Sequence, residues 1–171
     1  MTEAELMELV LARLKKRQTR QLNLMCQENF ELVKAPAKKV FYDYSQITLI
    51  QVPVSLLFEL YHFQKTPWVD WILTGISYQV QFTLDLNEQV LPFVPFQMLR
   101  AWPLAFHIAG QPVNALTQKT ISRKAILALA PQSWLVKINA QQLTAEAREQ
   151  IEKRQIKLIE RVDETCIWGK S

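Results

Sequence analysis

One alternating segment, residues 78–84, constrains the fold of this chain more than any other. Every second position is apolar and the positions between are polar; the apolar residues are Tyr78, Val80, Phe82 and Leu84. Because successive side chains of a strand point to opposite faces, the pattern predicts a strand with one buried face. After a polar break, an apolar run carries Pro92 and Pro95. Proline removes a backbone donor and biases the preceding residue to extended geometry, so we expect a fixed, non-helical connector.

The rest of the chain alternates between predicted strands and short helices. Strands are expected near residues 22–26, 40–44, 104–108 and 113–116, and an apolar one at 47–52 suits a centre buried on both faces. Helices are expected over 55–63 and from Pro67 to an end at Gly75. Residues 134–162 read as strand, helix and parallel strand, a βαβ unit. The sequence therefore predicts a single α/β domain over 22–171, with a mixed sheet and a C-terminal βαβ unit.

An amphipathic helix is predicted before this domain, over residues 2–17. Thr2 and Glu5 have the spacing of a capping box, with acids near the start and bases near the end. Its apolar stripe consists of Leu6, Met7, Val10, Leu11 and Leu14. Residues 18–21 are polar and predict a linker, which makes 1–21 a separate segment. Two interpretations stay open: the helix packs back on the core or frays, or it is a docking peptide that lays its apolar face on a partner.

Charge and composition weigh against several classes of partner. The net charge is only +4, and its one basic concentration lies between Arg13 and Arg20. Nucleic-acid binding through that cluster would be strongly salt-dependent. A solvated helix end, whose cations complement the helix dipole, explains the cluster better, so we expect no nucleic acid. The apolar runs are too short to span a bilayer, so no membrane partner is expected. Cys26 and Cys166, with no secretory signal, predict a cytoplasmic protein with reduced thiols.

No recognised catalytic, cofactor or metal site is visible in the sequence. The chain has only three glycines, and they are far apart, which excludes a phosphate-cradling loop. Its two histidines, His62 and His107, belong to different predicted elements, and Asp85 and Glu88 occupy a turn where solvated acids are common. We therefore predict no catalytic residues, no cofactor and no bound metal.

The central block and the C-terminal pattern resemble a known family. The features that carry this resemblance are the alternating strand, Leu84 and Leu86, the LPFVP run at 91–95, the WPLAF run at 102–106, and the strand–helix–strand pattern that ends near residue 160. Together with the N-terminal helix, they resemble the propanediol-utilisation microcompartment protein M family. The resemblance implies a non-catalytic structural or assembly component of a bacterial microcompartment, located inside cytoplasmic compartments. The helix also resembles the encapsulation peptides of cargo enzymes, which implies docking on shell proteins or encapsulated enzymes.

The alternative hypothesis is an enzyme or small-molecule binder that acts on a microcompartment metabolite. Such a function requires a pocket with convergent polar groups at the ends of the parallel strands. A deep pocket near His107 or Asp85 would favour it.

Overall fold

The computed structural model describes residues 2–26 and 32–162, so Cys166 and the tail after residue 162 lie outside the described residues. The chain divides into two compact units, residues 1–84 and 85–171. The predicted α/β class is confirmed, because both units contain helices and strands. The boundary drawn at residue 21 between a docking helix and an α/β domain stays a prediction.

The described residues of the first unit form helices, a parallel strand pair and a third strand. They are α1 (Glu3–Gln18), β1 (Gln21–Met25), a 3₁₀ helix (Lys38–Tyr42), β2 (Gln46–Ile50), α2 (Val54–Tyr61), α3 (Pro67–Ser77) and β3 (Gln81–Leu86), whose last two residues pass the boundary. The strands are ordered β1-β2-β3. Strands β1 and β2 are parallel, with Gln21 opposite Gln46.

Strand β2 lies in the middle of these three strands, as its sequence predicts, but it is not buried on both faces. Ile47 and Leu49 are fully buried, whereas Thr48 and Ile50 between them are only partly covered. Because these two side chains keep part of their surface exposed, the prediction of burial on both faces was wrong.

An aromatic cluster replaces the strand predicted over residues 40–44. The segment forms a 3₁₀ helix that buries Phe41 alone. The Phe41 ring packs on Trp71, with ring centroids 5.0 Å apart, and Trp71 in turn meets Phe82 edge-on at 5.6 Å. The strand prediction was wrong because tertiary packing of one ring, rather than alternation, decides the local backbone.

Gly75 lies inside α3 and does not end it, contrary to the sequence prediction. A Cβ at this position would lie 2.6 Å from the ring of Phe82 and 3.0 Å from that of Phe41. Glycine is needed here for the close approach of two buried rings, and the helix continues to Ser77. The sequence predicts that this helix buries Trp68, Val69, Ile72 and Leu73. The last of these is wrong, because Leu73 is exposed and Trp71 is buried.

The second unit follows the predicted order more closely. Its elements are a 3₁₀ helix (Glu88–Phe93), α4 (Phe96–Ala101), β4 (Leu104–Ile108), β5 (Gln111–Ala115), β6 (Thr120–Ile121), α5 (Arg123–Leu127), β7 (Trp134–Ile138), β8 (Gln142–Leu143), α6 (Ala145–Lys153) and β9 (Lys157–Arg161). The main strands are ordered β4-β5-β7-β9, and β6 pairs with β8.

A hairpin and a βαβ unit make the sheet of this unit mixed. Strands β4 and β5 are antiparallel, and β5 pairs parallel with β7. Strands β7 and β9 are parallel on either side of α6 in the chain, which confirms the predicted βαβ unit. The helices α5 and α6 share an aliphatic core that includes Ile126, Leu135 and Ile151.

The proline-rich connector is helical, which corrects the prediction of a non-helical segment. Pro92 lies inside the 3₁₀ helix Glu88–Phe93, where a missing donor is tolerated in so short a turn. The guanidinium of Arg161 donates to the carbonyl oxygens of Leu91 at 2.6 Å and Val94 at 2.5 Å. These bonds from a distant strand hold the turn in place.

Candidate functional site

The first helix, α1, forms as its sequence predicts. Thr2 and Glu5 make both bonds of the capping box: the Thr2 amide donates to Glu5 Oε2 at 2.7 Å, and the Glu5 amide donates to Thr2 Oγ1 at 3.3 Å. At the other end, the Thr19 hydroxyl donates to the Lys16 carbonyl at 3.1 Å. Acids in the first turn and bases in the last match the helix dipole.

The apolar stripe of α1 is exposed along its whole length. No residue of the helix is buried. The five predicted docking residues are each about half exposed: Leu6 48%, Met7 58%, Val10 49%, Leu11 50% and Leu14 47%. Leu9, which the sequence interpretation left out, is exposed by 60% and widens the patch. The stripe is therefore free to contact a partner, while its docking role stays a prediction.

Polar bonds attach the C-terminal half of α1 to the first unit. Arg17 Nε donates to the Phe41 carbonyl at 2.8 Å, and Arg17 Nη2 donates to the Tyr78 carbonyl at 2.6 Å. Arg13 pairs with Asp43 at 3.3 Å in an exposed contact that adds little energy. Only two residues separate α1 from β1, so the linker predicted over 18–21 is shorter than expected.

The arginines of the basic cluster therefore have identifiable structural partners. Besides Arg13 and Arg17, Arg20 donates to the Tyr44 hydroxyl at 2.9 Å and stacks over that ring at 4.4 Å. These contacts give the three arginines structural roles that do not require a nucleic-acid ligand. The expectation of no nucleic-acid partner stays a prediction.

A groove of about 320 Å³ runs between α1 and the aromatic surface beside it. It is lined by Val10, Arg13, Leu14, Arg17, Phe41, Tyr42 and Tyr78. The two tyrosines meet edge-on at 5.6 Å and remain 51% and 42% exposed, and the hydrogen bond between their hydroxyls raises the pKa of Tyr42. The strand predicted from Tyr78 begins instead at Gln81, and Tyr78 caps the end of α3. The alternating pattern placed Tyr78 on a buried strand face and so did not predict this surface.

The other chemistry-bearing side chains are scattered. The pKa of His107 is lowered by burial, an effect that nearby Asp85 opposes. Burial raises the pKa of the Cys26 thiol to about 11, which leaves it protonated at neutral pH. His62 is exposed at the end of α2, where its Nδ1 lies 2.9 Å from the Phe58 carbonyl. The two histidines belong to different units, His62 to the first and His107 to the second.

A cavity of about 400 Å³ in the second unit bears on the alternative hypothesis. Its lining consists of Glu88, Ile108, Ala109, Gln111, Gln132, Trp134, Gln155 and Lys157. It lies where β5, β7 and β9 begin, whereas ligands of open α/β sheets bind at the carboxyl ends of strands. Neither His107 nor Asp85 belongs to this described lining, and the enzyme or binder alternative stays a hypothesis.

Within residues 2–26 and 32–162, no group of three or more His, Cys, Asp or Glu side chains is placed to hold a metal ion. No helix in these ranges combines the length and the apolar character needed to cross a bilayer.

Comparison with known proteins identifies a family. No curated protein and no solved structure matches the chain. The model of the PDU-like propanediol utilisation family matches residues 5–157. This range begins within α1 and includes residues 20–70, which resemble the family only poorly by sequence pattern. The match confirms that family resemblance, and the chain belongs to the PDU-like propanediol utilisation family.

Proposed function

We propose that this protein is a non-catalytic structural or assembly component of a propanediol-utilisation microcompartment. In this proposal it docks on shell proteins or encapsulated enzymes through the apolar stripe of α1. Family membership supports the link to propanediol utilisation. The docking role is our own inference from the surface of α1.

The exposure of α1 is the observation that carries the proposal. Folded monomers seldom leave contiguous large apolar side chains in water, and such patches mark interaction sites. Six such side chains, each 47–60% exposed, lie on one sixteen-residue helix. An amphipathic helix with this pattern fits a groove or a second helix on a partner, where its stripe supplies the anchors.

The bonds of Arg17 support docking by a pre-ordered helix. An isolated helix of this length is marginal in water, and ordering it on binding would cost affinity. Here two bonds to the carbonyls of Phe41 and Tyr78 fix its C-terminal half, while the stripe stays exposed. The protein therefore offers a rigid apolar surface rather than a loose peptide.

A matched pair of full-length variants tests this function. Leu11→Asp places a carboxylate in the stripe, and Ala12→Asp places the same charge about 100° away on the polar face of the helix. Both variants change the net charge equally and insert the same residue into the middle of α1. Covering the exposed half of Leu11 is worth about 1 kcal/mol, and the desolvated carboxylate adds a further penalty.

The readout is recovery of each variant with microcompartments purified from cells that produce it. We expect Leu11→Asp recovery to fall at least about tenfold, because 1.4 kcal/mol is a factor of ten in affinity. Ala12→Asp recovery should match the wild type. Circular dichroism and a thermal transition check that both variants stay folded. Undiminished recovery of a folded Leu11→Asp variant would refute docking through α1.

A further inference from the structure

We propose that the stripe of α1 is covered, in the free protein, by the α1 helix of a second copy in an antiparallel pair. This pairing deepens the proposed function and rests on it for its biological meaning. The two copies would separate when the stripe binds its compartment partner. The physical basis of the pairing is separate, since it follows from the self-complementarity of the helix.

Four large apolar residues of α1 are arranged symmetrically about its middle. With a two-fold axis between Val10 and Leu11, an antiparallel second copy sets Val10 opposite Leu11 and Met7 opposite Leu14. A two-fold interface requires this property, because each residue must find its partner in the same patch of the other copy. These four side chains are 47–58% exposed in the single chain and are therefore available for the pairing.

Charge selects the antiparallel orientation. Glu3, Glu5 and Glu8 lie in the first half of the helix, and Arg13, Lys15 and Lys16 lie in the second. Antiparallel pairing sets each acidic half beside the basic half of the other copy. Parallel pairing would set like charges together, which is destabilising. The helix therefore carries the complementarity that this one arrangement needs.

Glu8 and Lys15 are the charges best placed to act across the pair. At 3.6 residues per turn they lie on the same flank of the stripe, next to Leu11. In the register above, Glu8 of one copy lies within about 3 Å along the axis of Lys15 of the other. Both side chains are exposed in the single chain, and neither contacts another described residue through an ion pair or side-chain hydrogen bond.

The groove beside α1 provides the second helix with an additional contact surface. Val10 and Leu14 belong both to the stripe and to the groove wall, and the rings of Tyr42 and Tyr78 form the opposite wall. Specific interfaces bury about 800 Å² on each partner. A pair of short helices approaches this area only if the second helix also contacts the tyrosine rings of the groove. The pairing should accordingly be weak and reversible, so that a compartment partner can replace it.

Sedimentation velocity of the full-length protein, from micromolar to near-millimolar concentration, tests the pairing. We expect a monomer–dimer equilibrium in the wild type. Glu8→Lys and Lys15→Glu, each alone, should weaken dimerisation about tenfold, because two symmetry-related ion pairs turn into repulsions. The two variants mixed in equal amounts should restore dimers, since every Glu8–Lys15 contact between unlike copies is again attractive.

Recovery by mixing separates pairing from a folding defect, because neither variant regains dimers alone. A wild-type protein that stays monomeric across this range would overturn the proposal. So would dimers that both single variants form as strongly as the wild type, or a mixture that stays monomeric. Microcompartment recovery of Leu11→Asp is measured separately: a monomeric wild type that still docks refutes the pairing alone, and a dimer whose Leu11→Asp variant still docks refutes the docking function alone.

Discussion

Arg17 should determine how firmly α1 is held on the first unit. Arg17→Met keeps most of the apolar stem but removes the bonds to the Phe41 and Tyr78 carbonyls, at 2.8 and 2.6 Å. A hydrogen bond from a charged donor is worth about 1.5–3 kcal/mol. The first bond is partly buried and the second exposed, so solvent screening reduces the second contribution. We expect the opening free energy of α1 to fall by about 2 kcal/mol.

Hydrogen exchange of the α1 amides measures this directly. A decrease of about 2 kcal/mol raises the exchange rate roughly 30-fold, because 1.4 kcal/mol is a factor of ten. The matched control is Lys16→Met, which makes a similar change one residue earlier at an exposed position. It should leave exchange almost unchanged. Equal exchange of α1 in the two variants would contradict the anchoring role of Arg17.

Two further predictions concern packing and protonation inside the units. Gly75→Ala forces a methyl group to within 2.6 Å of the Phe82 ring. This overpacking costs about 1–3 kcal/mol, whereas the gain in helix propensity is about 1 kcal/mol. Urea unfolding should therefore reveal a net decrease of about 1 kcal/mol in the free energy of unfolding, and a stabilised variant would refute the close approach. His107 should titrate below the ordinary value of about 6.5 in an NMR titration, and lower still in Asp85→Asn, because the raising influence is lost. Since the unfolded chain binds this proton more readily, His107 should lower stability as pH falls from about 6.5 to its folded pKa, and a His107→Gln variant should lose that pH dependence.

Local signals in the sequence predicted those elements whose ends are set by their own residues. The sequence predicts helix starts at Thr2, Ser122 and Thr144, and each side chain accepts a hydrogen bond from a backbone N–H, at 3.3, 3.5 and 3.2 Å. The βαβ unit follows from a β-branched strand, a capped helix and a second strand in close succession. In these places propensity, pattern and tertiary structure agree, which makes sequence reasoning reliable.

Long-range packing accounts for what the sequence could not predict. A glycine near the end of a predicted helix can either terminate the helix or leave space for a neighbouring ring. Gly75 leaves space for the ring of Phe82. Arg17 reads as a cation that complements the helix dipole, but it bonds to carbonyls 24 and 61 residues away in the chain. The apolar stripe of α1 could be predicted from periodicity, whereas its tyrosine-lined groove could not.

Docking through the stripe of α1 is the central claim, and one comparison tests it most directly. The measurement is the amount of full-length Leu11→Asp protein that co-purifies with microcompartments, divided by the amount of Ala12→Asp protein. We predict a ratio of about one-tenth or less, since only Leu11 belongs to the exposed stripe. A ratio near one, with both variants folded, would contradict the claim.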